Sequence, residues 1–115
     1  VAHLYNAWHP AVLQLVAQTI ACANRLDKNV SVCGEMAGDP AFTELLLGMG
    51  LRNFSMHPSQ ILTIKERVLG IDARRWAEAL PQVLAADDPE REVAAVAAGI
   101  SAPPGGPLVA RATAL

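Results

Sequence analysis

The stretch Val30-Ser31-Val32-Cys33-Gly34-Glu35-Met36-Ala37-Gly38-Asp39-Pro40 decides how the chain is read. A short run with two β-branched valines ends in a cysteine, a turn with two glycines and an acid follows, and Asp39-Pro40 has the form of a helix start. Val30 to Cys33 therefore reads as a buried strand and Asp39 as the cap of a helix that has Pro40 at its first position. Ligands of α/β proteins bind where parallel strands end and helices begin. A thiol at such a junction faces a reacting centre, so Cys33 is the first candidate functional residue, with Gly34 and Glu35 as its neighbours in the turn.

Working outward, Val12, Leu13, Val16, Ile20 and Ala23 recur at helical spacing after Pro10, which predicts a helix from Pro10 to Arg25. Tyr5 and Trp8 precede it as candidate anchors, and Asp27-Lys28-Asn29 forms the turn into the strand. Beyond Pro40 the helix ends at Gly48 and Gly50. Asn53-Phe54-Ser55-Met56 reads as a second short strand, and Pro58 or Ser59 opens a third helix carrying Ile61, Leu62, Ile64, Val68 and Leu69 up to Gly70. The order α-β-α-β-α at short spacing predicts parallel strands joined by crossover helices. Asp72 caps an alanine-rich helix that Pro81 is expected to interrupt near Leu80. Asp88-Pro89 starts another, ending near Gly99. The stretch 99–115, with Pro103-Pro104-Gly105-Gly106-Pro107, lacks periodicity and reads as a flexible tail after an ordered portion 1–98. Purely parallel sheets are covered on both faces and have more than two strands, so the pattern reads as a piece of a larger α/β structure.

Composition narrows the function classes. The chain has 115 residues and a net charge of -2, with no basic face for nucleic acid. Hydrophobic residues make up 52% but aromatics only 4%, because much of the apolar content is alanine, which favours helix and fills little core volume. No apolar run reaches the roughly 18 residues needed for a bilayer span. No basic n-region precedes an apolar stretch at the start, so no signal peptide is expected, and with two cysteines that make no disulfide framework a reducing cytoplasm is the simplest expectation. Cys22 and Cys33 do not form a disulfide framework. Cys22, on the first helix, is expected to be a packing residue. The cysteines and the dispersed His3, His9 and His57 lack the spacing of zinc ligands, so no metal site is assigned. His57 reads as a helix-start residue before Pro58, Ser55 and Met56 as filling residues, and Leu45 to Leu47 with Met49 as core. Glu35 and Asp39 are conceivable as paired acids, but capping is the better use of Asp39.

Cys33-Gly34-Glu35-Met36-Ala37-Gly38-Asp39 resembles the C-terminal signature of phosphoenolpyruvate-utilising enzymes, and most closely the Enzyme I family of the bacterial sugar phosphotransferase system. His3-Leu4-Tyr5 and His9-Pro10-Ala11-Val12-Leu13 resemble the stretch before that signature. Leu45-Leu46-Leu47-Gly48-Met49-Gly50-Leu51 and Phe54-Ser55-Met56 follow at the family's spacing. The resemblance implies the C-terminal part of a (β/α)8 TIM barrel with two short parallel strands, followed by terminal helices. It implies a phosphotransferase of the kinase class that moves the phosphoryl group of phosphoenolpyruvate to a protein histidine, releasing pyruvate. It further implies Mg²⁺ in the parent enzyme, a phosphocarrier protein as the next acceptor, and a homo-oligomer. Metal ligands, phosphate-binding arginines and the phosphorylated histidine are implied to lie upstream, and His3, His9 and His57 match none of them. Cys33 matches the residue that protonates C3 of the enolpyruvate. The chemistry fits, because an unperturbed thiol, with a pKa of about 8.5, holds a proton near neutrality and releases it on demand. Glu35 is implied at most to orient the thiol or its loop. Set against this are two other expectations, a self-association module and an inactive truncated product.

Overall fold

A computed structural model describes residues 6–99. His3, Tyr5 and the tail from residue 100 on lie outside the described residues. The elements run α1 (Pro10–Arg25), β1 (Ser31–Cys33), α2 (Glu35–Gly38), α3 (Pro40–Gly48), β2 (Asn53–Ser55), a 3-10 turn (Pro58–Gln60), α4 (Ile61–Leu69), α5 (Ala73–Leu84) and α6 (Pro89–Gly99). β1 and β2 pair in parallel, with Ser31 opposite Asn53, Val32 opposite Phe54 and Cys33 opposite Ser55. The α-β-α-β-α order thus forms the crossover it predicts, in a mostly helical α/β piece.

The core is centred on a helix. From Phe42 to Gly48 every residue of α3 is buried, Thr43 and Glu44 among the apolar side chains. The sheet contributes Phe54, α1 contributes Leu13, Ala17 and Ile20, and α4 contributes Ile64 and Val68 to the same cluster. Leu45, Leu46, Leu47 and Met49 are core residues as read from the sequence, and Met56 is buried behind β2. Trp8 anchors the entry to α1 by stacking on Phe42, with ring centroids 4.0 Å apart and planes 21° from parallel. Asp72 caps α5 as expected, its Oδ1 accepting from the Arg74 and Arg75 N–H groups.

Four expectations change. The first strand is not buried: it starts at Ser31, and only Val32 turns partly inward while Ser31 and Cys33 are exposed. Among the described residues β1 pairs only with β2, and alternate side chains point away from the one covered face. The turn after Cys33 is itself a one-turn helix, α2, closed by the Gly38 N–H donating to Gly34 O at 3.3 Å. Pro81 does not stop its helix, which continues to Leu84. An interior proline costs about 3 kcal/mol, and full burial of a side chain such as Val83 returns about 1.5–3 kcal/mol, so packing nearly offsets the local penalty. Trp76, 3% exposed, also gives this alanine-rich helix a large buried anchor. Lastly, Cys22 is exposed rather than packed. It lies two residues, about 200° of helical turn, beyond the inward Ile20.

Candidate active site at the end of β1

Because β1 and β2 are parallel and in register, their carboxyl ends lie side by side, and the residues that follow each strand share one edge of the sheet. Cys33 is the last residue of β1 and its thiol is open to solvent. The ordinary structural role of a lone cysteine, a small buried hydrophobe, does not describe it. Gly34 turns the chain from strand to helix at φ 81°, ψ -154°. That region is essentially restricted to glycine, so the residue after the thiol is set by backbone conformation. Glu35 opens α2 and is exposed, while Ala37 and Gly38 are buried.

Asp39 is a cap: its Oδ1 accepts from the Ala41 N–H at 2.9 Å, with Pro40 at the first helical position. A carboxylate so engaged is not half of an acid pair with Glu35. His57 caps in the same manner. Its Nδ1 accepts from the Ser59 N–H at 3.2 Å and lies 2.8 Å from Ser59 Oγ. At the other end of the chain, His9 Nδ1 accepts from Ala11 N–H at 3.1 Å before Pro10. Both His-Pro pairs are therefore helix starts. Ser55, opposite Cys33, is half-buried at the site edge.

Among the described residues no group of three or more His, Cys, Asp or Glu side chains is arranged to hold a metal. An open cavity of about 500 Å³ lies elsewhere, between α3 and α4, beside Glu44, Glu66 and Arg67. Its main feature is the ion pair of Arg67 Nε with Glu44 Oε1 at 2.6 Å, which spans the two helices. Neither Cys33 nor Glu35 lines it.

One contact at the site edge had no signal in the sequence: the amide of Gln60, from the turn after β2, lies against the backbone of Gly38, from the turn after β1. Gln60 is polar, nonperiodic and unremarkable in composition, so only the tertiary arrangement identifies it.

The model of the family "PEP-utilising enzyme, PEP-binding domain" matches residues 1–73. The chain belongs to this family. The matched segment contains β1, Cys33, α2, α3, β2 and α4. A phosphoenolpyruvate-protein phosphotransferase of Cupriavidus necator is 58% identical over 96 residues, covering 84% of this chain and 16% of the relative. One of Enterococcus faecalis is 38% identical over 96 residues, covering 84% of the chain and 17% of the relative. One of Staphylococcus epidermidis is 40% identical over 78 residues, covering 68% and 14%. The chain thus spans about a sixth of the length of the curated relatives it matches. The resemblance to Enzyme I read from the Cys33–Asp39 signature agrees with these matches. Among the described residues no helix is long and apolar enough to cross a membrane.

Proposed function

We propose that this chain is the C-terminal part of the phosphoenolpyruvate-binding (β/α)8 barrel of a cytoplasmic phosphoenolpyruvate-protein phosphotransferase, and that Cys33 is its proton donor. The observation that carries the reading is the exposed thiol at the carboxyl end of a parallel strand, inside the segment that the family model matches. When the phosphoryl group departs for a protein histidine, the electrons of the breaking O–P bond stay with the oxygen and leave the enolate of pyruvate. C3 then takes the proton of the Cys33 S–H, giving pyruvate and a thiolate. Solvent, which reaches the exposed sulfur, returns the proton. Gly34 holds the chain in the turn that leaves the thiol uncovered, and Glu35 stands beside it on α2. The phosphoryl-accepting histidine and the Mg²⁺ ligands belong, on this reading, to the other five-sixths of the enzyme, and the phosphocarrier protein is a separate partner that takes the phosphoryl group from it.

The test is Cys33→Ala in the complete phosphotransferase, following delivery of solvent deuterium to C3 of pyruvate together with thermal stability. General acid catalysis is worth about 10²–10⁴-fold, so proton delivery should drop by that order while the melting temperature stays nearly unchanged, because an exposed thiol leaves no cavity. Undiminished proton delivery would exclude the role. The same substitution at Cys22 should leave the chemistry intact.

A second reading, self-association, is favoured by one observation. Val12, Leu15, Thr19, Cys22 and Leu26 repeat along α1 at alternating spacings of three and four, and all are exposed. Such a seam suits helix-to-helix packing. Sedimentation of the chain at increasing concentration should show dimers that Leu15→Lys abolishes. A monomer across the range would exclude this reading.

A further inference from the structure

We infer that Gln60 is a positioning residue that clasps the Cys33 turn from the neighbouring βα connection; the inference rests on the proton-donor reading of Cys33. A Cβ built on Gly38 would lie 2.5 Å from Gln60 Cδ and 2.8 Å from Nε2, and closer still to Oε1. The Gln60 amide therefore occupies the space beside the glycine α-carbon that a side chain at position 38 would fill. Gly38 is buried, and its N–H closes the single turn of α2 on Gly34 O. One hydrogen bond of one turn is a weak restraint, since an isolated turn of helix fixes several dihedral angles for one bond. Cys33 lies immediately before that turn, as the last residue of β1. The groups that hold α2 shut also set the direction of the thiol.

Gln60 suits this role because its backbone is held on both sides. It ends the 3-10 turn that His57 caps, its own N–H donates to His57 O at 2.9 Å, and Ile61 continues directly into α4. The clasp joins the connections that follow β1 and β2, the two strands whose ends form the site. Losing it leaves α2 free to open while α3, held by its Asp39 cap and its buried face, stays in place.

Two experiments test the clasp independently of each other. In the full chain, without substrate, hydrogen exchange of the residue-38 amide reports opening of α2. Gln60→Ala should speed it about 10-fold while core amides of α3 and α4 keep their rates. In the complete phosphotransferase, displacing a reacting group by about 1 Å costs up to about 100-fold. Gln60→Ala should therefore lower kcat for pyruvate formation by about 10- to 100-fold with KM for phosphoenolpyruvate nearly unchanged. Gly38→Ala pushes the same amide away from the other side, so it should reproduce both effects, and the double variant should be no worse than either single one. Gln60→Met, which retains the length and shape without the amide, should restore kcat. Unchanged exchange at residue 38, additive single effects, or failure of Gln60→Met to restore kcat would overturn the clasp. An unchanged kcat in Gln60→Ala, where Cys33→Ala abolishes proton delivery, would overturn it and leave the enzyme reading standing. If Cys33→Ala instead leaves proton delivery intact, the enzyme reading fails, and with it the positioning role.

Discussion

Gly48→Ala should destabilise the fold, although in most helices the same change stabilises it. Gly48 is the last residue of α3. On helix propensity alone, alanine is better than glycine by up to about 1 kcal/mol, and less at a helix end. Packing acts in the opposite direction. A Cβ at position 48 would lie 2.8 Å from the Trp76 carbonyl oxygen, 2.9 Å from its carbonyl carbon and 3.0 Å from its Cβ. Two of these atoms are backbone, so no rotamer change relieves the contact, and α5 has to move off α3. Trp76, buried on the core, would be dragged with it. Forcing an extra methyl into a packed site costs about 1–3 kcal/mol, leaving a net loss of about 1–2 kcal/mol. For a domain of this size that corresponds to a melting temperature lower by roughly 5–15 °C. Urea denaturation monitored by tryptophan fluorescence should show a lower midpoint with unchanged slope. Gly99→Ala is the control, because nothing lies within 4 Å of its added Cβ. A Gly48→Ala midpoint equal to or above that of the parent chain would refute the close backbone approach of α3 and α5.

Gly34→Ala tests the opposite cause, since its Cβ would meet nothing within 4 Å and only φ of +81° stands against it. It should cost about 1–3 kcal/mol, and a neutral result in denaturation would show that the turn relaxes freely. Asp39→Ala removes the acceptor of the Ala41 N–H and should cost about 0.5–2 kcal/mol, with Asp39→Asn recovering most of it in the same measurement. Leu46→Ala, at a fully buried position of α3, should cost about 2–5 kcal/mol by the same assay. A loss under about 1 kcal/mol would show that the α3 core is loosely packed. Arg67→Met should cost no more than about 1 kcal/mol, because Arg67 is half-exposed and water screens its pair with Glu44. A larger loss would mark the pair as a structural tie.

Local signals were legible wherever one residue type satisfies one local requirement. Asp39-Pro40, His57-Pro58 and Asp72 each place an acceptor before free helical N–H groups, and this depends only on neighbours two or three residues away. The spacing of Leu13, Ile20, Ile64 and Val68 marked the inward helix faces, because a helix repeats every 3.6 residues whatever it packs on. The signature from Cys33 to Asp39 pointed to the family. It also placed the thiol at the end of a strand, where a parallel pair leaves it open.

Other features were set by distance in space. Burial of a strand depends on what lies beside and above it, so Val30–Cys33 could not disclose that β1 leaves Ser31 and Cys33 exposed. Pro81 carries a local penalty visible in the sequence, but the packing of Val83 that nearly offsets it comes from elements far along the chain. The exposure of Cys22 follows from helix phase and that of Cys33 from its place at the end of β1. The contact of Gln60 with Gly38 joins residues 22 positions apart on two different connections. The sequence by itself determined where the helices start, which faces turn inward and to which family the thiol belongs, because those properties reside in short-range stereochemistry and in a contiguous motif. Only the tertiary structure decided which surfaces stay open and which side chain lies against the turn after Cys33, because both depend on how separate segments share space.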